Sequence, residues 1–90
     1  MKSFRLAARY SRDYKRIAKR GYDLEKLDVV LDLLAAGGPL PPARRDHPLK
    51  GDWKDHRECH IEPDWLLIYS PPDDEVLLAR TGTHADLFGS

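Results

Sequence analysis

The sequence holds a single cysteine, Cys59, and no apolar run that approaches the length of a membrane span. One thiol closes no intramolecular disulfide and builds no cysteine-based zinc cluster, which suits a reducing cytoplasm and a buried side chain. A spanning helix needs about 20 consecutive, mostly apolar residues, and the opening Lys2-Ser3-Phe4-Arg5 lacks the apolar segment of a secretory leader. The chain is therefore expected to stay in the cytoplasm with no membrane partner. Internal repeats, low-complexity tracts and interdomain linkers are also absent. Ninety residues bury too little surface for two cores, so residues 1–90 are expected to form one domain.

Net charge is lacking as well, but the cancellation is global, not local. Residues 1–27 carry nine Lys or Arg against three acids, whereas residues 50–90 carry four against nine. A basic first third can supply a phosphate-facing surface; the plainer alternative is a solvated helix face.

What is present divides cleanly at turn signals. Residues 3–8, SFRLAA, alternate as a first strand with Phe4 and Leu6 on one face. Tyr10, Tyr14, Ile17 and Ala18 then recur at helical spacing up to Gly21, leaving Arg12, Lys15, Arg16, Lys19 and Arg20 mostly on the polar side. Asp23 is placed to cap a second helix with Leu24, Leu27, Val30, Leu31 and Leu34 on its apolar side, stopped by Gly37-Gly38. The stretch PLPPARRDHPLKG follows neither period and is expected to be a loop. HRECHIE, WLLIYS and EVLLART, separated by turns at Glu62-Pro63-Asp64 and Pro71-Pro72-Asp73-Asp74, predict a three-strand meander. The order β-α-α-β-β-β predicts an α+β fold of two layers, two helices on a mostly antiparallel four-stranded sheet. Alternation sets Cys59 and Ile61 toward the helices and His56, Glu58 and His60 on the opposite face, expected to be polar and open.

The tight turn after His60 lets it approach Asp64, while His47 sits in the proline-rich loop and His84 follows the last strand. Three imidazoles and a carboxylate converging at one sheet edge suit general acid–base chemistry near neutrality. RNA strand cleavage is one such reaction, and it needs no cofactor. Trp65 and Phe88 are candidates to stack on bases, each stack being worth about 1–3 kcal/mol; for Trp65 core packing is the alternative. The histidines lack the short spacings of zinc motifs, so no metal is assigned, although a scattered site of three histidines and an aspartate stays open as an alternative. Arg57 and Arg80 are expected on the side of Cys59 and Val76, where an ion pair is the plainer role.

The segment DHPLKGDWKDHRECHIEPDWLLIY, residues 46–69, together with RTGTHADLF, residues 80–88, resembles the YafQ branch of the RelE/ParE superfamily, the ribonuclease toxins of bacterial type II toxin–antitoxin pairs. The resemblance implies a metal-independent, cofactor-free endoribonuclease that cuts messenger RNA in the A site of the 70S ribosome. It also implies a cognate antitoxin of ribbon-helix-helix type, with operator DNA bound only through that partner. By the motif match the functional positions are His47, His60, Asp64, Trp65, His84 and Phe88. His84 is expected to be the proton donor, His60 and Asp64 to activate or orient the 2′-hydroxyl, and His47 to support charge on the phosphate. Arg80 is expected to neutralise the phosphorane. RNA binding is expected from Arg12, Arg16 and Lys19 and from Arg44, Arg45, Lys50 and Lys54, with Asp52, Asp55 and Glu58 turned away. His56 takes no role from the resemblance. The competing class is a non-enzymatic module of the same fold that acts through a protein partner.

Overall fold

The computed structural model describes residues 2–37, 39–70 and 74–89. A first strand, β1 (Ser3–Leu6), leads into helix α1 (Ala8–Lys19) and helix α2 (Leu24–Ala36). The Asp23 carboxylate accepts from the Glu25 N–H and so caps α2, while Gly37 ends that helix at φ +81°, in the left-handed region. Of the expected turn residues, Gly38 and 71–73 lie outside the described residues. Strands β3 (Arg57–Glu62), β4 (Trp65–Ser70) and β5 (Glu75–Gly82) form the expected antiparallel meander.

Among the described residues the sheet has five strands, not four. His47–Pro48 forms β2, antiparallel to β3, so the order across the sheet is β1-β5-β4-β3-β2. A two-residue strand is too short to show a period, and pairing across the sheet creates it. The proline-rich segment around it is organised too, with short 3-10 turns at Pro42–Arg44 and Gly51–Trp53. Arg44 donates to the Ile61 carbonyl at 3.0 Å and Arg57 to Asp46 at 2.9 Å, which fixes the segment to β3. β1 pairs in parallel with β5, making the sheet mixed.

Alternation places the main core where the sequence put it. Cys59 and Ile61 pack with Leu67, Tyr69, Val76 and Leu78 against Tyr10 and Ile17 of α1 and Leu27, Val30 and Leu34 of α2. Burial pushes the Cys59 thiol pKa up to about 12, so it behaves as a small apolar group. Leu6, expected to share a face with Phe4, is exposed, whereas Phe4 packs on the core. The opposite face is not purely polar. Leu66, Ile68, Ala79 and Leu87 form a second apolar cluster there, with Leu49 and Trp53 packed at its margin. Leu87 comes from a short helix, α3 (His84–Phe88), too short for periodicity to mark. Its signal was present: Thr83 accepts from the Asp86 N–H and Asp86 accepts from the Thr83 N–H, a reciprocal capping box spelled T-x-x-D.

Candidate active site

Strand register assembles half of the site. His47 on β2 lies opposite Glu58 on β3, and His60 follows Glu58 by two residues on the same face. Both imidazoles turn Nε2 toward one carboxylate oxygen, with Glu58 Oε1 3.3 Å from His47 and 3.7 Å from His60. Glu58 is only 5% exposed, so its charge is held in a site where two imidazoles face it. Sequence reasoning had turned Glu58 away from the RNA; the bridge between β2 and β3 instead puts it at the centre of the group.

The C-terminal helix supplies the other half. Asp64, in the β3–β4 turn, accepts from the His84 backbone N–H at 3.0 Å and lies 2.8 Å from His84 Nδ1. These bonds, the backbone one first, lower the Asp64 pKa below its ordinary value. An ionised carboxylate only accepts, so Nδ1 carries the proton and Nε2 faces outward. Asp64 thus positions His84, and its partner is not the expected His60. The His60 and His84 rings stand 6.2 Å apart, and the Phe88 ring stands 6.2 Å beyond His84. Phe88 is 43% exposed and can meet a base.

A second tier holds α3 in place. Arg20 of α1 makes two bonds to Asp86, at 2.7 and 3.1 Å, and Arg16 approaches the same carboxylate at 3.7 Å. The Arg20 bond, with those from Thr83, holds the Asp86 pKa down at about 2 against the cost of burial. Gly82, which ends β5, has φ +153°, and a Cβ there would meet the Asp86 side chain at 3.0 Å. A glycine is required because the strand runs directly under the cap of α3.

Trp65 is a correction. It is 1% exposed, packs edge-on against Tyr22 and donates from Nε1 to Thr81 Oγ1 at 2.9 Å, so it has no face free for a base. The β-bulge between His60 and Glu62 sets Trp65 opposite Glu62, and its side chain enters the helix-covered core. Arg80 makes two bonds to Asp13 of α1, at 2.8 and 2.9 Å, and is joined to that helix, not to the histidines. With Arg9, Arg12 and Arg16 it lines a cleft of about 230 Å³. Lys19 on α1 and Lys50 and Lys54 beside β2 are exposed. His56 packs edge-on against Trp53 and lies 3.2 Å from the Lys54 carbonyl.

This set can move a proton at each end of a bound phosphodiester, with cationic side chains near it. The model of the family described as "Bacterial toxin of type II toxin-antitoxin system, YafQ" matches residues 2–89. The chain is 48% identical over 84 residues to the mRNA interferase toxin YafQ of Escherichia coli K12, covering 92% of this chain and 91% of that one. Its fold is similar to YafQ in the crystal structure of the E. coli DinJ–YafQ complex, with TM-score 0.91 and 42% identity over 99% of this chain and 100% of the other. It is also similar to a metal-bound toxin from Helicobacter pylori, with TM-score 0.90 and 41% identity over 98% of this chain and 100% of the other.

Proposed function

The chain belongs to the YafQ family of bacterial type II toxins, and from that premise we propose that it is an endoribonuclease that cuts messenger RNA in the ribosomal A site without needing a metal ion. The observation that carries the reading is the pair of facing groups on the open sheet face. His84 is oriented by Asp64 on one side, and Glu58 lies between His47 and His60 on the other. A non-enzymatic module has no use for a buried carboxylate set between two imidazoles.

In this mechanism Glu58 takes the proton of the 2′-hydroxyl, and the 2′-oxygen attacks phosphorus. The bond from phosphorus to the 5′-oxygen breaks as His84 Nε2 delivers its proton to that oxygen. The products are a 2′,3′-cyclic phosphate end and a 5′-hydroxyl end. His47 and His60 face the non-bridging oxygens and stabilise the charge that develops on them. Sequence reasoning had given the 2′-hydroxyl to His60 and Asp64; the bond from Asp64 to His84 favours Glu58 as the base. Phe88 stacks on a neighbouring base, while Lys50 and Lys54 hold phosphates. Arg12, Arg16 and Lys19 dock ribosomal RNA in a salt-dependent way, and Arg80 reinforces that surface from across the cleft.

A cognate antitoxin, by analogy with the DinJ–YafQ complex, covers this surface, and a ribbon-helix-helix segment of that partner carries the pair to operator DNA. The test is to map the 5′ ends of cleaved messages on translating ribosomes for the parent and for His84→Ala. In-frame cuts that vanish in the variant support the proposal, and cuts that persist overturn it.

A further inference from the structure

His60 also forms one wall of a cleft that the chemistry above leaves unused. The cleft lies at the end of β3, between the Pro42–Arg44 turn and the turn that carries Pro63, and holds about 190 Å³. Ala43 and Pro63 give it apolar surface and Arg44 and Arg45 cationic surface, while Glu62 lines it with its charge met by Lys26 at 2.7 Å. Pockets for drug-sized ligands run to roughly 300–1,000 Å³, so this one admits a single flat ring system and not a whole nucleotide. Its place relative to the histidines follows from the sheet. β4 occupies one edge of β3, and His84 follows β5 beyond it. At the bulge Ile61 has no partner on β4, and its carbonyl accepts from Arg44. The Pro42–Arg44 turn therefore lies along the other edge, with His60 between the cleft and His84.

Arg45 is set apart from its neighbours in the chain. Arg44 is bonded to Ile61 and Asp46 to Arg57, whereas the Arg45 side chain is exposed and takes no partner among the described residues. Its backbone stands at φ +49°, in the left-handed region. That conformation is costly for a residue with a Cβ, and such residues collect at active sites and ligand clamps.

We propose that this cleft receives the base of the nucleotide whose 2′-hydroxyl attacks, and that Arg45 reads that base with a preference for guanine. The polarity rests on the catalytic reading above. His84 protonates the departing 5′-oxygen, so the nucleotide 3′ of the cut lies toward His84 and Phe88, and the nucleotide 5′ of it lies toward Glu58 and His60. Single-stranded RNA is recognised by bases that splay out, stack on flat side chains and offer their edges for hydrogen bonds. Pro63 and Ala43 give the ring an apolar surface to lie on. Among the four bases guanine alone sets two acceptors, O6 and N7, side by side on one edge, and a guanidinium fork meets them with two bonds. Adenine places an amino donor beside N7, and the pyrimidines have no N7.

Two measurements on the full chain test this. The first follows cleavage, on translating ribosomes, of messages that differ only in the base before the cut. The expected rate with guanine exceeds that with adenine by roughly 5- to 150-fold, the discrimination of one bidentate pair. Arg45→Gly, which keeps the left-handed backbone without strain, should bring that ratio close to one. Arg45→Lys, which keeps the charge but not the fork, should also lower it. The second is an NMR titration with dinucleotides whose 5′ sugar lacks the 2′-hydroxyl and which therefore cannot be cut. Guanine in the 5′ position should bind more tightly than guanine in the 3′ position and shift the Arg45 Nε–H and His60 ring signals, and the difference should vanish in Arg45→Gly. Equal rates for all four bases in the parent, or a ratio unchanged in either variant, overturns the base contact. Cleavage that falls alike for every base in Arg45→Gly marks a phosphate contact and overturns it too. A chain that binds the dinucleotides with this preference but cuts no message retains the cleft and overturns the function proposed above; one that cuts all four messages alike retains that function and overturns the cleft.

Discussion

The helix-covered face of the sheet buries Cys59, Ile61, Trp65, Leu67 and Tyr69 beneath two helices, whereas the open face carries a smaller apolar cluster of Leu66, Ile68 and Ala79 with Leu87 of a short helix. On the covered face almost every side chain is held by packing. The open face fixes its polar groups with directed bonds: His84 to Asp64, Arg20 to Asp86, and backbone carbonyls facing His47 and His60. Packing tolerates no exchange with solvent, so it can hold the fold but cannot present a reactive group. Directed bonds hold one edge of each imidazole and turn the other toward the site, where the Nε2 atoms of His47 and His60 face Glu58. Stability and chemistry are thereby separated by the thickness of one sheet, although α1 reaches both faces, covering the core with Tyr10 and Ile17 while Arg16 and Arg20 steady α3.

The sharpest way to break this division is to remove one group from each face. His84→Ala should lower cleavage by roughly 10²–10⁴-fold, the usual contribution of a positioned acid, while thermal unfolding stays within about 0.5 kcal/mol of the parent. A large loss of stability would show that the open face carries the fold after all. Trp65→Ala should do the reverse, costing about 3–5 kcal/mol in denaturant unfolding through the cavity it leaves and the broken bond to Thr81. Phe88→Ala is expected to leave unfolding nearly unchanged and to weaken RNA binding by about 1–3 kcal/mol, measured on a short single-stranded RNA. Deleting residues 84–90 is a poor probe of the site, because it also uncovers Leu66, Ile68 and Ala79.

Two further changes test the link that α1 makes between the faces. Reversing Arg12, Arg16 and Lys19 together should weaken ribosome binding and flatten its salt dependence, read from binding isotherms at several salt concentrations. Unchanged binding would remove the helix from the interface. The smallest effect concerns Asp86, whose pKa is held at about 2 against an ordinary 3.8. A depressed carboxylate pKa stabilises the fold above the ordinary value, and that contribution fades as pH falls through the folded one. The stability advantage of the parent over Asp86→Asn should therefore be complete above about pH 4 and disappear near pH 2. An advantage that persists at pH 2 would mean that the link from α1 to α3 does not depend on this charge.

Much of this was legible beforehand because it is local. The helix cap at Asp23, the stop at Gly37 and the alternation that parts Cys59 and Ile61 from Glu58 and His60 follow from neighbours within a few residues. The cap of α3 is equally local, but the five residues that follow Thr83 are too few to show a helical period. Trp65 illustrates the opposite limit: its place directly after a turn allowed either core or substrate, and only the bulge at the end of β3 decided for the core.

The sequence by itself determined the two long helices, the strands β1, β3, β4 and β5, their order, the side of the sheet on which His60 lies and the family to which the motifs belong. Only the tertiary structure decided who faces whom. His47 and Glu58 became neighbours through a strand of two residues, Asp64 chose His84 across 20 residues of chain, and Asp13 took Arg80 across 67. Periodicity records which way a side chain points, because that is set by the backbone of its own element. Partnership depends on the closure of long loops and on register between strands, and neither leaves a trace in local pattern.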